Sequence, residues 1–287
     1  MLLRDVEYAR PASVAEAISL LAEHDNARVL AGGQTLVNVM KLRMLGPDRV
    51  VDITRIPELR GVGVAADGAV EIGATTTYAE IVEAVDVWAA RPVVAEVASI
   101  IADVQVRNRG TIGGNVCLNL PTNHFPPVLV AIAAELVIAA RDGERTVAAD
   151  DFFSAPFTTA VRTDEVLARV RVPARRPREG DAFVAMSAGR ESQSIVHVAA
   201  SLRLEDDAVA AIRIAVGCAG PRPIRALAVE EQLVGAKPDE QTVAAAVRGL
   251  GAKLSPVSDV NATADFKRHV AEVLVERCVL KAAERAA

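Results

Sequence analysis

Ala31-Gly32-Gly33-Gln34-Thr35-Leu36 and Thr111-Ile112-Gly113-Gly114-Asn115 each set a glycine pair beside an apolar run that opens into a helix-like segment. Consecutive glycines let the backbone approach a phosphate closely, with N–H groups converging free of Cβ obstruction. A helix amino terminus directly after the turn favours an anion. Thr35, Thr111 and Asn115 add side-chain hydrogen-bonding groups. One such turn alone reads as a bend that needs positive φ; two point to a diphosphate held from both sides.

Working outward, Ser13 and Glu16 have capping-box spacing, and Val14, Ala17, Ile18 and Leu21 share a helical face. Arg28 to Ala31 reads as a buried strand, Leu36 to about Arg43 as a helix and Arg49 to Ile53 as a strand, so residues 1–58 form a small α/β unit. From Leu59 the pattern changes. Asp67-Gly68 and Asp142-Gly143 mark hairpins, Gly61–Val64 with Ala69–Ile72 and Glu135–Ala140 with Arg145–Val147. Thr77 caps a helix towards Val85, Pro92 to Ile101 and Val128 to Ala133 read as helices, and Glu165 to Val172 as a strand. Gly61-Val62-Gly63-Val64-Ala65-Ala66 fits a GxGxxA dinucleotide fingerprint, but a turn and a strand follow it where the fingerprint needs a helix.

The proline- and charge-rich segment 173–180 reads as a linker, giving two domains, 1–175 (subdomains of about 1–58 and 59–175) and 176–287. Beyond it, Phe183–Ala188, Val198–Leu204 and Val209–Val216 suggest an antiparallel sheet turning at Asp206-Asp207. Helices follow near 226–233, 240–250 and 264–286, the last with a Phe266, Val270, Val273, Leu274, Cys278 stripe.

The composition of the 287 residues narrows the function. Hydrophobic residues make up 51% and charged ones 24%, which excludes a disordered chain. Residues 1–175 carry 17 basic against 22 acidic side chains and residues 176–287 carry 15 of each. That balance, with only nine aromatic residues, excludes a nucleic-acid footprint. The charge-free stretch Gly110–Ala134 holds three asparagines and three prolines, unsuited to a membrane span. Met1-Leu2-Leu3-Arg4 meets charge too early for a signal peptide. Cys117, Cys218 and Cys278 cannot form a cysteine cluster within this chain, and their rarity suits a reducing cytoplasm. No GxxxxGK[ST], HExxH or GxSxG motif occurs. The histidines lack metal-ligand spacing: His24 and His269 read as helix-surface residues and His197 as a strand residue. His124, in Pro121-Thr122-Asn123-His124-Phe125-Pro126, reads either as packing in a turn or as a functional group. Arg107 and Arg109 are either phosphate neutralisers or a solvated edge.

Beyond these separate signals, Ala31–Leu36 with Met40-Lys41-Leu42-Arg43 and Val51-Asp52-Ile53, and above all the run Ile101 to Asn115, resemble the FAD-binding medium subunit of molybdenum hydroxylases of the carbon monoxide dehydrogenase and xanthine dehydrogenase type. The resemblance runs over nearly the whole chain. It implies an α+β fold: a two-subdomain vanillyl-alcohol-oxidase-type (PCMH) FAD domain, then a smaller α+β carboxyl-terminal domain. It implies that Ala31, Gly32, Gly33, Gln34, Thr35 and Leu36 hold the diphosphate and that Thr111, Gly113, Gly114 and Asn115 approach from the other side. By the same resemblance Ile101, His124 and Leu167 meet the cofactor. His124 stands where relatives commonly carry Asp, and no lysine follows Phe183 at Val184, Ala185 or Met186.

The implied activity is electron transfer by an oxidoreductase subunit. FAD in this chain takes electrons from [2Fe–2S] clusters of a small subunit and passes them to an external acceptor. A large subunit holds the molybdopterin cofactor, and the whole is a dimer of heterotrimers. No acid–base residue and no metal is expected in this chain. The residues alone leave two other readings open: a self-sufficient flavin oxidoreductase of the same fold, and a flavin-free scaffold subunit.

Overall fold

The computed structural model describes residues 4–189 and 193–287; the first three residues of the amino-terminal reading lie outside them. The first sixty residues form β1 (Glu7–Ala9), α1 (Val14–Ala22), β2 (Ala27–Leu30), α2 (Leu36–Lys41) and β3 (Arg49–Asp52), with the strands parallel in the order β1-β3-β2. The Ser13 hydroxyl caps α1 by accepting from the Glu16 N–H, and the Glu16 carboxylate reaches back to the Ala12 N–H rather than to Ser13. Strand β1 is the element the hydrophobic pattern omits, because a short edge strand with two exposed residues has no apolar run. His24 lies past the end of α1, in the turn to β2.

The next sheet is antiparallel, in the order β4-β5-β10-β6-β7. It comprises β4 (Val62–Val64), β5 (Val70–Gly73), β6 (Glu135–Ala140), β7 (Gly143–Ala148) and β10 (Val166–Val172), with the small pair β8 (Phe153–Ala155) and β9 (Thr158–Thr159) alongside. Both aspartate–glycine hairpins form, and Gly68 and Gly143 take the positive φ their turns need. The GxGxxA stretch is therefore a hairpin arm. Helices α3 (Tyr78–Glu83), α4 (Val85–Ala90), α5 (Pro92–Ile100), α6 (Val104–Arg107), α7 (Ile112–Leu118), α8 (Phe125–Ala131) and α9 (Ala149–Phe152) surround this sheet. Thr77 caps α3 through a full capping box with Glu80. Every residue of α8 is buried, which explains its lack of polar residues.

The third sheet is antiparallel, β11 (Glu179–Ser187), β12 (Ser194–Glu205), β13 (Ala208–Gly217) and β14 (Ile224–Arg225), turning at Asp206-Asp207, both left-handed. Against it pack α10 (Leu227–Leu233), α11 (Glu240–Val247) and α12 (Ala264–Ala286). The α12 stripe needs correction: Val270, Leu274 and Cys278 are buried, but Phe266 is 42% exposed. Lys267 is buried in its place, its ammonium held by the Val257 carbonyl and by Asp259. Among the described residues no helix is long and apolar enough to cross a membrane.

The core is aliphatic and continuous across the expected boundary, since Phe183, Ala199 and Ala215 join the cluster that holds Ile72, Leu129, Leu136 and Ile138. Each large side chain fully buried there stabilises the fold by about 1.5–3 kcal/mol. Segment 173–180 is tied down rather than loose. The Arg175 N–H donates to the Ala90 carbonyl, and the Arg176 N–H to Glu179. Arg91, 2% exposed between α4 and α5, donates to Glu179 (2.7 Å), Asp181 (2.9 Å) and Ser201 (3.0 Å). Its Nε lies 2.8 Å from Asp181 Oδ2 as an ion contact off the hydrogen-bond axis. Burial raises the Asp181 carboxyl and Arg91 opposes that effect.

Removing one partner of a buried ion cluster strands the others. Arg91→Met is expected to cost about 3–5 kcal/mol in urea unfolding. Arg60→Met, which breaks an exposed pair with Glu80, is expected to cost about 0–1 kcal/mol.

Glu165 in the turn before β10 is 3% exposed and held by Arg145 (2.7 Å) and Arg162 (2.9 Å). The Arg145 hydrogen bond leads in bringing its carboxyl down to about 2, against burial. A carboxyl lowered on folding contributes stability above its unfolded value and loses it as pH falls through the folded one. The stability gap between the unaltered chain and Glu165→Gln, followed by chemical unfolding, is expected to be full above about pH 5 and to close towards about pH 2.

Candidate functional site

The two glycine turns meet. The Gly32 backbone lies directly against the Arg109 carbonyl, where a Cβ would collide with it and fall 2.9 Å from Gly110 Cα. Gly110 is closed in turn by Tyr78, whose ring a Cβ would meet at 2.6 Å. Gly33 is left-handed at φ +72°, which turns the chain from β2 into α2. None of the N–H groups of Gly32, Gly33, Gln34, Thr35 and Leu36 has an acceptor among the described residues. Gln34 steadies the loop instead: its Nε2 donates to the Gly32 carbonyl and its own carbonyl accepts from Asn38. Ala31 to Leu36 are all half-buried, so this row of free donors is accessible at a sheet edge.

The second turn differs from its sequence reading. The Ile112 N–H donates to the Thr76 carbonyl (3.1 Å), Gly113 to the Ala74 carbonyl (2.9 Å), Gly114 to Thr111 Oγ1 (3.1 Å) and Asn115 to the Thr111 carbonyl (3.1 Å). These donors are spent inside the fold. The cause is geometric: α7 is driven amino end first against the turn between β5 and α3, and Gly113 is glycine because a Cβ would lie 2.6 Å from the Ala74 carbonyl. Thr111 is the helix cap. What the second turn offers is the Asn115 side chain. It is 9% exposed, its Nδ2 donates to Tyr78 Oη (3.1 Å), and its Oδ1 has no partner.

Asn115 opens onto a cleft of about 560 Å³ that Ile100, Ile101, Ala102, Asn123, His124 and Ser187 also line, within the range of small-ligand sites. Ile101 is positioned by Arg107, which donates to the Ile101 (3.1 Å) and Ala102 (2.6 Å) carbonyls and so shapes the cleft wall. Arg109 is exposed. Leu167, on β10, is 3% exposed in the main core and is not among the residues lining the cleft.

His124 Nε2 lies 2.8 Å from Ser194 Oγ, and Nδ1 is buried without a partner. Burial pushes this imidazole down to about 4, so it is neutral at pH 7. His197 meets it edge-on with ring centres 5.1 Å apart, and the tilted Phe183 ring closes the trio. Fully buried, His197 is driven well below its ordinary value by burial first and by His124 second, while its bond to the Asn123 carbonyl (3.1 Å) opposes both. Residues 194 and 197 escape a reading of the sequence because they sit inside an apolar alternation. The one trace is Gly217, opposite His197 in the β12–β13 register, where a Cβ would overlap the imidazole.

These features fit a dinucleotide of FAD's kind: a row of free N–H donors for its diphosphate, and a cleft with two orphaned buried polar atoms for a ring. Comparison with known proteins agrees. Residues 4–175 match the family model of the FAD binding domain in molybdopterin dehydrogenase, and residues 181–282 that of the CO dehydrogenase flavoprotein C-terminal domain. The chain belongs to this family of FAD-binding subunits of molybdopterin-dependent dehydrogenases.

Among its relatives, the carbon monoxide dehydrogenase medium chain of Hydrogenophaga pseudoflava is 36% identical over 98% of both chains. The glyceraldehyde dehydrogenase medium chain of Sulfolobus acidocaldarius is 34% identical over 94% of this chain and 95% of its own. Of solved structures, a carbon monoxide dehydrogenase from Hydrogenophaga pseudoflava that lacks the Mo-pyranopterin moiety superposes with a TM-score of 0.97 at 37% identity, covering all of both chains. Quinoline 2-oxidoreductase from Pseudomonas putida 86 gives 0.94 at 31% identity, over 100% of this chain and 99% of its own.

The glycines separate by role. Gly32→Ala and Gly113→Ala are expected to lose about 1–3 kcal/mol in thermal unfolding, as overpacking against backbone does. Gly114→Ala, whose Cβ meets only Thr111 Oγ1 at 3.1 Å, is expected to change stability by less than about 1 kcal/mol.

Proposed function

We propose that the chain is the FAD-carrying electron-transfer subunit of a multi-subunit molybdenum hydroxylase, and that residues 1–175 bind the cofactor while residues 176–287 close its cleft. The observation that carries this reading is the row of unspent N–H donors from Gly32 to Leu36, together with a cleft that holds unpartnered polar atoms, in a chain that matches medium subunits along its whole length. Bound FAD would supply the two-electron chemistry that side chains lack.

The chain's own residues bind and orient. The loop from Ala31 to Leu36 takes the diphosphate on its backbone donors. Thr111, Gly113 and Gly114 brace the opposite wall, and Asn115, Ile101 and His124 face the ring. Leu167 supports that wall from the core. None of the described residues that line the cleft has a charged side chain, so these residues act on the ring through their dipoles.

The partners follow from the same reading. A small subunit with [2Fe–2S] clusters delivers electrons, a large subunit holds the molybdopterin cofactor, and we infer a dimer of such heterotrimers in the cytoplasm. Three free cysteines, two of them buried, suit a reducing compartment.

The test is the visible spectrum and flavin content of the purified chain and of the complex it pulls down. About one FAD per chain, lost in Gly33→Val, with iron and molybdenum in the co-purified subunits, is the expected result. A colourless chain that takes up no added FAD overturns it.

A further inference from the structure

Resting on the FAD reading, we propose that Asn115 Oδ1 and His124 Nδ1–H form a paired acceptor and donor for the imide-bearing edge of the flavin ring, with Ser194 fixing the histidine tautomer.

Both atoms are orphans. Asn115 Oδ1 and His124 Nδ1 are buried with no partner, and both residues line the one cleft. Buried polar atoms left unsatisfied cost about 1–3 kcal/mol each unless something completes them. The residues are also fastened together, since Asn123 Nδ2 donates to the Asn115 carbonyl at 2.7 Å and thereby sets His124 beside α7.

The Asn115 amide nitrogen is held by Tyr78, and Oδ1, the atom without a partner, can only accept. A ligand group that meets Oδ1 must bring an N–H or O–H, and an imide N–H is one. His124 has the complementary role. Ser194 Oγ sits 2.8 Å from His124 Nε2 and 3.4 Å from Ser187 Oγ. Where the Ser187 hydroxyl donates to Ser194 and Ser194 donates to Nε2, the single imidazole proton is on Nδ1, the nitrogen left without a partner. Edge-on contact with His197 and tilted contact with Phe183 hold the ring in place.

An acceptor and a donor lining one cleft match the alternation of an imide edge, where a ring N–H is flanked by carbonyl oxygens. The pair also has a redox consequence. A neutral donor aimed at the ring favours its electron-rich reduced form without placing a charge in the cleft. His124 is then a residue that sets the flavin's reduction equilibrium.

The experiment uses the full chain reconstituted with FAD. It measures FAD occupancy from the spectrum and the oxidised-to-reduced equilibrium by redox titration against a dye. His124→Leu is expected to shift that equilibrium at least tenfold towards oxidised flavin, about 30 mV lower for a two-electron couple. His124→Asn, which restores a neutral N–H donor, should return it to within threefold. Ser194→Ala, which frees the tautomer without touching the ring, should shift it at least threefold in the same direction. Ser194→Ala carries the test alone if His124→Leu fails to retain FAD. FAD-loaded variants whose equilibrium is unchanged, or displaced towards reduced flavin, overturn the assignment. Failure of the unaltered chain to take up FAD instead overturns the functional reading beneath it.

Discussion

The site depends on a contact between two backbones. Gly32 rests on the Arg109 carbonyl with no room for a single carbon between them, and this approach locks the loop after β2 against the loop that leads into α7. Two further tight fits propagate the registration: Gly110 under the Tyr78 ring, and Gly113 on Ala74. Tyr78 then holds the Asn115 amide. A chain of van der Waals contacts thus fixes where one hydrogen-bonding atom stands, more rigidly than any exposed ion pair could.

That rigidity explains how the two turns divide their work. Similar Gly-Gly sequences perform different jobs, because the helix after the first turn leaves the N–H groups of its loop free while the helix after the second is driven amino end first into the fold. One turn keeps its donors for a ligand. The other spends them on Thr76, Ala74 and Thr111 and contributes shape. Around the cleft the same economy of charge recurs: His124 and His197 are both kept neutral by burial, and Cys218 beside His197 is pushed up to about 12. Among the described residues that line the cleft none carries a charged side chain, which leaves oriented dipoles as their means of tuning a bound ring.

Most of the architecture was legible in the sequence because local signals agreed with the global fold. Ser13 and Thr77 cap helices, Asp67-Gly68 and Asp142-Gly143 turn hairpins, and the period-two runs after 179 pair as an antiparallel sheet. Strand β1 was hidden by its brevity and exposure. At the site, the residues of both glycine turns could be named, but not which N–H groups would remain free, because that depends on Ala74 and Thr76 more than thirty residues away. His197 and Ser194 were invisible for a related reason. A polar residue inside an apolar strand declares nothing until its cross-strand neighbour is known. The Phe266 stripe failed in the opposite sense: helical spacing identified a face, while Lys267, tethered by Asp259, took the interior position.

The Arg91 cluster bears on how such chains can be recombined. The guanidinium sits upstream of residue 175, whereas Glu179, Asp181 and Ser201 lie downstream, so the covalent boundary between the two family segments cuts through a single electrostatic unit. A chimera that joins the amino-terminal half of one relative to the carboxyl-terminal half of another inherits half of this unit from each parent. Successful grafts within the family must carry position 91 and its acidic partners together.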